Sequence, residues 1–185
     1  MDTLEAILTR HSISKVKPDA VSSEIIKKIL HAAVQAPNHY RVRPWRFVVL
    51  TGNSRQALGE VLAQALKKQN PELPDVGMNI ERAKPLRAPV LIAVGVDRPD
   101  DLRVLEMENI CAVAAAVENL LLAAHAEGLG AMWRTGSAAR DPEVKKFLGF
   151  TPDQELISFV YIGYPDMLPP AEKRPSFEDR TVWMG

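Results

Sequence analysis

The sequence predicts a three-layer sandwich, α+β or α/β in class, with helices on both sides of one sheet. Three observations lead there. Segments with apolar residues at helical spacing outnumber the short apolar runs of strand length and alternate with them along the chain. The run Pro89-Val-Leu-Ile-Ala-Val-Gly-Val96 is apolar on both faces, which suits a central strand covered from above and below. At 185 residues, 46% hydrophobic and 25% charged, the chain has enough apolar material to close a substantial core. We read one domain over residues 1–185, with an extended C-terminal tail from about residue 165 that holds Pro165, Pro169, Pro170 and Pro175.

Each element follows from local chemistry. Thr3 to Arg10 is a short amphipathic helix with Leu4, Ile7 and Leu8 on one side. Ser22 or Ser23 caps a second helix, with Ile25, Ile26, Ile29, Leu30 and Ala33 at helical spacing, and Pro37 lies beyond its end. Phe47 to Leu50 is a short buried strand. Asn53 or Ser54 caps a helix to about Lys68, with Leu58, Val61, Leu62 and Leu66 inward. Gln69 to Asp75 is a loop and Met78 to Leu86 a short helix. Pro89 to Val96 is the central strand, and Asp97 to Asp101 an acidic turn. A long helix runs from about Leu102 to Glu127 and ends at Gly128. Ala131 to Thr135 is a strand, Asp141 to Leu148 a helix, and Leu156 to Ile162 a buried strand.

Bulk chemistry narrows the partners. The chain carries 23 cations and 23 carboxylates, so no broad field attracts nucleic acid or an anionic membrane. The most apolar run, Cys111 to Ala124, is broken by Glu118 and Asn119 and does not read as a membrane span. Cys111 stands alone, which fits a reducing compartment, and Met1-Asp-Thr-Leu-Glu5 lacks the apolar stretch of a signal peptide. We expect a soluble, cytoplasmic protein. His11, His31, His39 and His125 have no zinc-ligand spacing, and we expect no metal. His31 and His125 lie on helices and read as structural; Cys111, mid-helix and apolar, reads as inert packing. Gly128-Leu-Gly130 lacks the third glycine of a dinucleotide fingerprint and follows a helix, so a Rossmann site is disfavoured.

Charge is nevertheless unevenly spread. Between Ile25 and Gly59 stand Lys27, Lys28, Arg41, Arg43, Arg46 and Arg55, with no Asp or Glu among them. The stretch Gln35-Ala-Pro-Asn-His-Tyr-Arg-Val-Arg-Pro-Trp-Arg-Phe47 combines guanidinium, imidazole and indole groups between prolines, which suits a planar, anionic small molecule. Arg10 and Ser12 supply a fork of donors and a hydroxyl after the first helix. Trp133-Arg-Thr-Gly136 ends a strand, where a ligand crevice forms in sheets of this kind. The long helix bears Ile110, Val113, Val117, Leu120, Leu121 and Leu122 with almost no polar face. A helix apolar all round must be covered all round, which points to packing against a second copy.

Taken in order, Arg10-x-Ser12, Ala36-Pro-x-His39, Pro44-Trp-x-Phe47, the long apolar helix, Gly130-x-x-Trp-Arg-Thr-Gly136 and Val160-Tyr-Ile-Gly-Tyr-Pro165 resemble the nitroreductase family of flavin enzymes, over about residues 3 to 165. The likeness is to its small, single-domain members. The resemblance implies an α+β, three-layer sandwich with a central mixed sheet, an intertwined homodimer, and one FMN in each of two interface sites. It implies NAD(P)H-dependent reduction of nitro compounds, quinones or similar acceptors, with the flavin carrying the chemistry and no catalytic side chain required. Arg10, His11 and Ser12 match the segment that holds the FMN phosphate and ribityl chain. Gln35 and His39 match positions used against the flavin from the other subunit, and Trp133, Arg134 and Thr135 match the late flavin segment. The chain departs from the pattern at His11, where a second arginine is usual, and at Arg43, where many relatives carry glutamine. Two alternatives share the same clasp: a non-catalytic flavin-binding or regulatory protein, and a flavin-dependent dehalogenase or dehydrogenase. The candidate substrate cover is Gln69 to Leu86.

Overall fold

A computed structural model of the protein describes residues 1–169, 171, 174 and 176–185, with Ala138 and Ala139 described by backbone alone. Pro170, Lys173 and Pro175 of the expected tail lie outside the described residues. Among the described residues there are six α-helices and four strands. They are α1 (Thr3–Thr9), α2 (Ser23–Ala33), β1 (Trp45–Leu50), α3 (Asn53–Gln69), α4 (Asp75–Ala83), β2 (Val90–Val96), α5 (Glu106–Ala126), β3 (Gly130–Arg134), α6 (Pro142–Phe147) and β4 (Glu155–Gly163).

The strands form one sheet in the order β1-β2-β4-β3. Burial on both faces puts β2 at its centre, with all seven residues buried. One face packs against α2 and α5, through Ile29, Val113, Val117 and Leu120 on Ile92, Val94 and Val160. The other packs against α3 and α6, through Leu58, Leu62 and Val144 on Leu91, Ala93 and Phe159. Each fully buried Leu or Ile of these two layers contributes about 1.5–3 kcal/mol by removal from water. The α+β three-layer sandwich is therefore present. Its sheet is not mixed: every named strand pair is antiparallel. The parallel component shrinks to a single bridge, Ser12 to Ala131, because the segment after α1 touches the free edge of β3 at that residue alone before turning toward Tyr164 and Pro165.

Element ends follow capping. Ser22 accepts the Ile25 amide at 3.3 Å and starts α2 as expected. Gly52, not Asn53, precedes α3, and Ser54 instead turns back to donate to the Thr51 carbonyl at 2.7 Å. The long helix begins at Glu106, because Glu108 accepts the Leu105 amide at 2.8 Å and closes the N-terminus there. By length and composition α5 could cross a membrane, yet it lies in the core layer beneath the sheet.

Candidate functional site

The end of β3 opens onto a cavity of about 440 Å³. Register explains its walls. Arg134 lies opposite Phe159, and Met132 opposite Tyr161, which is in turn opposite Leu91. Leu91, Phe159, Tyr161 and Arg134 thus share the sheet face turned toward α3. Trp133, Thr135 and Gly136 continue the rim, Leu62, Leu66 and Gln69 of α3 close one side, and Glu81, Lys84 and Arg87 the other. Lys84 and Arg87 sit on a 3₁₀ turn between α4 and β2. Among the described residues three cations line this space, and Lys84 pairs with Glu81, the one carboxylate of the lining. The Arg134 guanidinium lies 5.8 Å from the Tyr161 ring centroid. Burial raises the Tyr161 pKa despite the opposing pull of Arg134 and Arg87, so its phenol remains protonated at neutral pH.

The N-terminal motif meets the same wall from behind. Ile13 donates its amide to the Ala131 carbonyl at 3.0 Å, which lays Ser12 along β3. That approach needs the glycine at 130: a Cβ there would stand 2.7 Å from Ile13 Cγ2. A small hollow joins Ile13, Ser14 and Val16 to Arg87, Arg134 and Tyr161, the residues that also line the cavity. Arg10 follows α1, with its side chain 19% exposed and its Nε 3.5 Å from Glu118 of α5. Its carbonyl accepts a hydrogen bond from the Arg174 guanidinium of the C-terminal tail. His11 is half-buried beside it. His125 approaches Thr9 Oγ1 at 2.8 Å, and burial first, then the charges of Arg10 and His11, holds its pKa below the ordinary value of 6.5.

Gln35 and His39 lie elsewhere in the chain. Gln35 donates to the His31 carbonyl at 3.1 Å. His39 Nδ1 is 2.8 Å from Glu108 Oε1, and the Leu105 amide and His39 together lower the Glu108 pKa. His39 borders the α5 side of the molecule, where it lines an open concavity of about 390 Å³ with Met107, Glu108 and Cys111, while Gln35 is exposed just past the end of α2. The structure therefore brings Trp133, Arg134 and Thr135 together, ties Ser12 to their strand, sets Arg10 and His11 at its edge, and keeps Gln35 and His39 apart from them within one chain.

One reading changes. Cys111 is exposed rather than packed, because the side of α5 that carries it has no covering element among the described residues. Lys84 and Arg87 are not singled out from sequence, and Tyr161 enters there only as part of the Val160–Pro165 motif. The pattern Lys84-Pro-Leu-Arg87 just ahead of the most apolar strand was the available signal, since cations at the mouth of a central strand face whatever binds there.

Comparison with known proteins bears on the family and the fold. The model of the nitroreductase family matches residues 7–164. YdjA of Escherichia coli K12, named as an NAD(P)H nitroreductase, is 30% identical over 167 residues, covering 90% of each chain. YfhC of Bacillus subtilis 168, similarly named, is 29% identical over 181 residues, covering 97% of this chain and 93% of its own. Among solved structures, a nitroreductase-like family protein from Bacillus cereus superposes with a TM-score of 0.88 at 23% identity, over 100% of this chain and 96% of that one. A Desulfovibrio desulfuricans nitroreductase in complex with FMN gives 0.77 at 28% identity, over 100% and 98%. The match runs from α1 to the end of β4 and so takes in the Arg10–Ser12 segment, the basic loop and the cavity rim together: this chain belongs to the nitroreductase family.

Proposed function

We propose that the protein is an FMN-dependent oxidoreductase that uses NAD(P)H to reduce nitro compounds, quinones or similar acceptors, working as a cytoplasmic homodimer with one FMN in each of two interface sites. The observation that carries this reading is the cationic cavity at the end of β3. Its volume of about 440 Å³ is in the range of small-molecule sites, roughly 300–1,000 Å³. Leu91, Phe159 and Tyr161 offer an apolar wall to a flat ring, and Lys84, Arg87 and Arg134 offer positive charge to an anion. The residues present fit FMN.

Trp133, Arg134 and Thr135 would hold the cofactor from β3, and Arg10, His11 and Ser12 from the segment behind it. Arg174 adds a second guanidinium beside Arg10. When bound, FMN accepts hydride from the nicotinamide and passes electrons to the acceptor. Lys84, Arg87 and Arg134, which line the cavity, would supply positive charge to a bound flavin. A preorganised donor in such a place is worth roughly 3 kcal/mol. The protonated Tyr161 offers an O–H donor in the same wall.

The homodimer is supported by what α5 leaves uncovered. Met107, 64% exposed, and Cys111 form an open apolar stripe with the partly exposed Ala114, Ala115 and Leu122. His39 lies beside it, where it would reach a second subunit's cofactor, and Gln35, exposed just past the end of α2, would join it there. The tail has Val182, Trp183 and Met184 exposed, and among its described residues none is buried beyond residue 165, which suits a reach across a partner.

The test is direct. Purified protein is expected to show flavin absorption, release FMN on denaturation, and oxidise NAD(P)H steadily with a nitroaromatic or quinone. Because donor and acceptor use one ring in turn, double-reciprocal plots should be parallel; intersecting lines contradict a shared site. Flavin retention without turnover would favour the non-catalytic alternative.

A further inference from the structure

The cations of the acid-free stretch are unequally engaged. Lys27 pairs with Glu24, Lys28 with Glu127 and Arg46 with Asp97, and Arg55 donates to the Ala88 carbonyl. Arg41 and Arg43 are exposed, and among the described residues neither guanidinium has a hydrogen-bond or ion-pair partner. Both stand on left-handed backbone, with φ of 57° and 52°, next to Tyr40 at 47°. Three consecutive or near-consecutive non-glycine residues in that region are held against a conformational cost, and such strain gathers where a loop has a task. The bracing is visible. Asn38 Oδ1 accepts the Arg43 amide at 2.9 Å. Tyr40 is stacked on His39 with ring centroids 4.4 Å apart, and the Arg103 guanidinium lies 4.4 Å from the Tyr40 ring centroid. His39 in turn is tied to Glu108 at the open concavity beside α5. The loop is fixed, and what it presents to solvent is a pair of unpaired guanidinium groups.

We propose that Arg41 and Arg43 form an anion clamp that selects NADPH over NADH by its 2′-phosphate. The inference rests on the flavin dimer reading above, in which this loop borders the approach to the partner's ring. Two guanidinium groups two residues apart match a phosphate monoester, which carries close to two negative charges and three acceptor oxygens, better than they match a single carboxylate. The phosphate is also the single chemical difference between the two donors, so a clamp placed away from the ring discriminates without touching the hydride step.

The experiment uses FMN-loaded wild type and the double variant Arg41→Asn with Arg43→Asn, since asparagine tolerates left-handed backbone and keeps the loop. With a neutral quinone as acceptor, wild type should favour NADPH. The double variant should lose at least about tenfold in kcat/KM for NADPH, as expected for lost charge-assisted contacts, and keep that for NADH within about twofold. The variant Arg41→Lys with Arg43→Lys should fall between them for NADPH alone. Equal losses with both donors, or no loss with either, overturn the proposal. So does a loss that appears only when the quinone is replaced by a carboxylated nitroaromatic, which would assign the clamp to the acceptor. The flavin spectrum separates the two levels: wild type that binds no FMN removes the underlying reading and the clamp with it, whereas yellow, active protein without donor preference removes the clamp alone.

Discussion

Arg134 is the cation most directly committed to the cavity, since it ends β3, has no carboxylate partner among the described residues, and lies over the edge of Tyr161. Arg134→Ala is expected to weaken FMN binding by about 1.5–3 kcal/mol, or roughly 10- to 100-fold, as a fluorescence titration of apoprotein would read. Arg10 is expected to behave similarly, with one difference. Glu118 competes for it at 3.5 Å, so Glu118→Gln should leave FMN affinity equal to wild type or higher. A second residue-level effect is pH. Burial lowers the His125 pKa from 6.5, so the unfolded chain takes up that proton more readily than the folded one. Its contribution to stability is complete above the unfolded value and is lost as pH falls through the folded one. Urea midpoints should drop on acidification below about pH 6.5, and His125→Gln should remove that part of the slope. At this scale the sequence was partly readable. Trp133 to Gly136 could be placed because a strand, an indole, a guanidinium and a glycine fall in succession. Lys84 and Arg87 could not, because only the fold of α4 back onto α3 brings their turn to the cavity rim.

α3 and α4 contribute to opposite sides of the cavity, and their close approach depends on Gly59. A Cβ there would meet the Arg82 carbonyl oxygen at 2.3 Å, a backbone atom that cannot step aside. Gly59→Ala is expected to cost about 1–3 kcal/mol by overpacking, read from urea unfolding, and to loosen the cavity wall that carries Lys84. In the core layer, Leu120→Ala on α5 should cost about 2–5 kcal/mol, since that side chain is fully buried. Helical periodicity located every α-helix among the described residues. It did not locate their ends: α4 starts at Asp75, immediately after Pro74, and α5 starts at Glu106, where the Glu108 carboxylate closes the first turn. Strand order was beyond reach for the same kind of reason. The residues of β4 look like any buried strand, and their insertion between β2 and β3 is decided by packing across the whole sheet.

At the scale of the whole molecule, the apolar excess of α5 is the feature that one chain does not resolve. Its sheet-facing side is buried, while Met107, Cys111 and their neighbours remain open beside His39. Cys111→Arg would place a charge in the middle of that stripe, and is expected to yield monomers in light scattering and to lose FMN in the same step. Retained flavin on a monomer would show that one chain suffices for the site. The most direct measurement of the account is sedimentation velocity followed in both the protein and the flavin absorption bands. The account predicts one boundary in both bands, at twice the chain mass of 20.5 kDa. A boundary at the chain mass, or protein that sediments with no flavin absorbance after incubation with FMN, would contradict it.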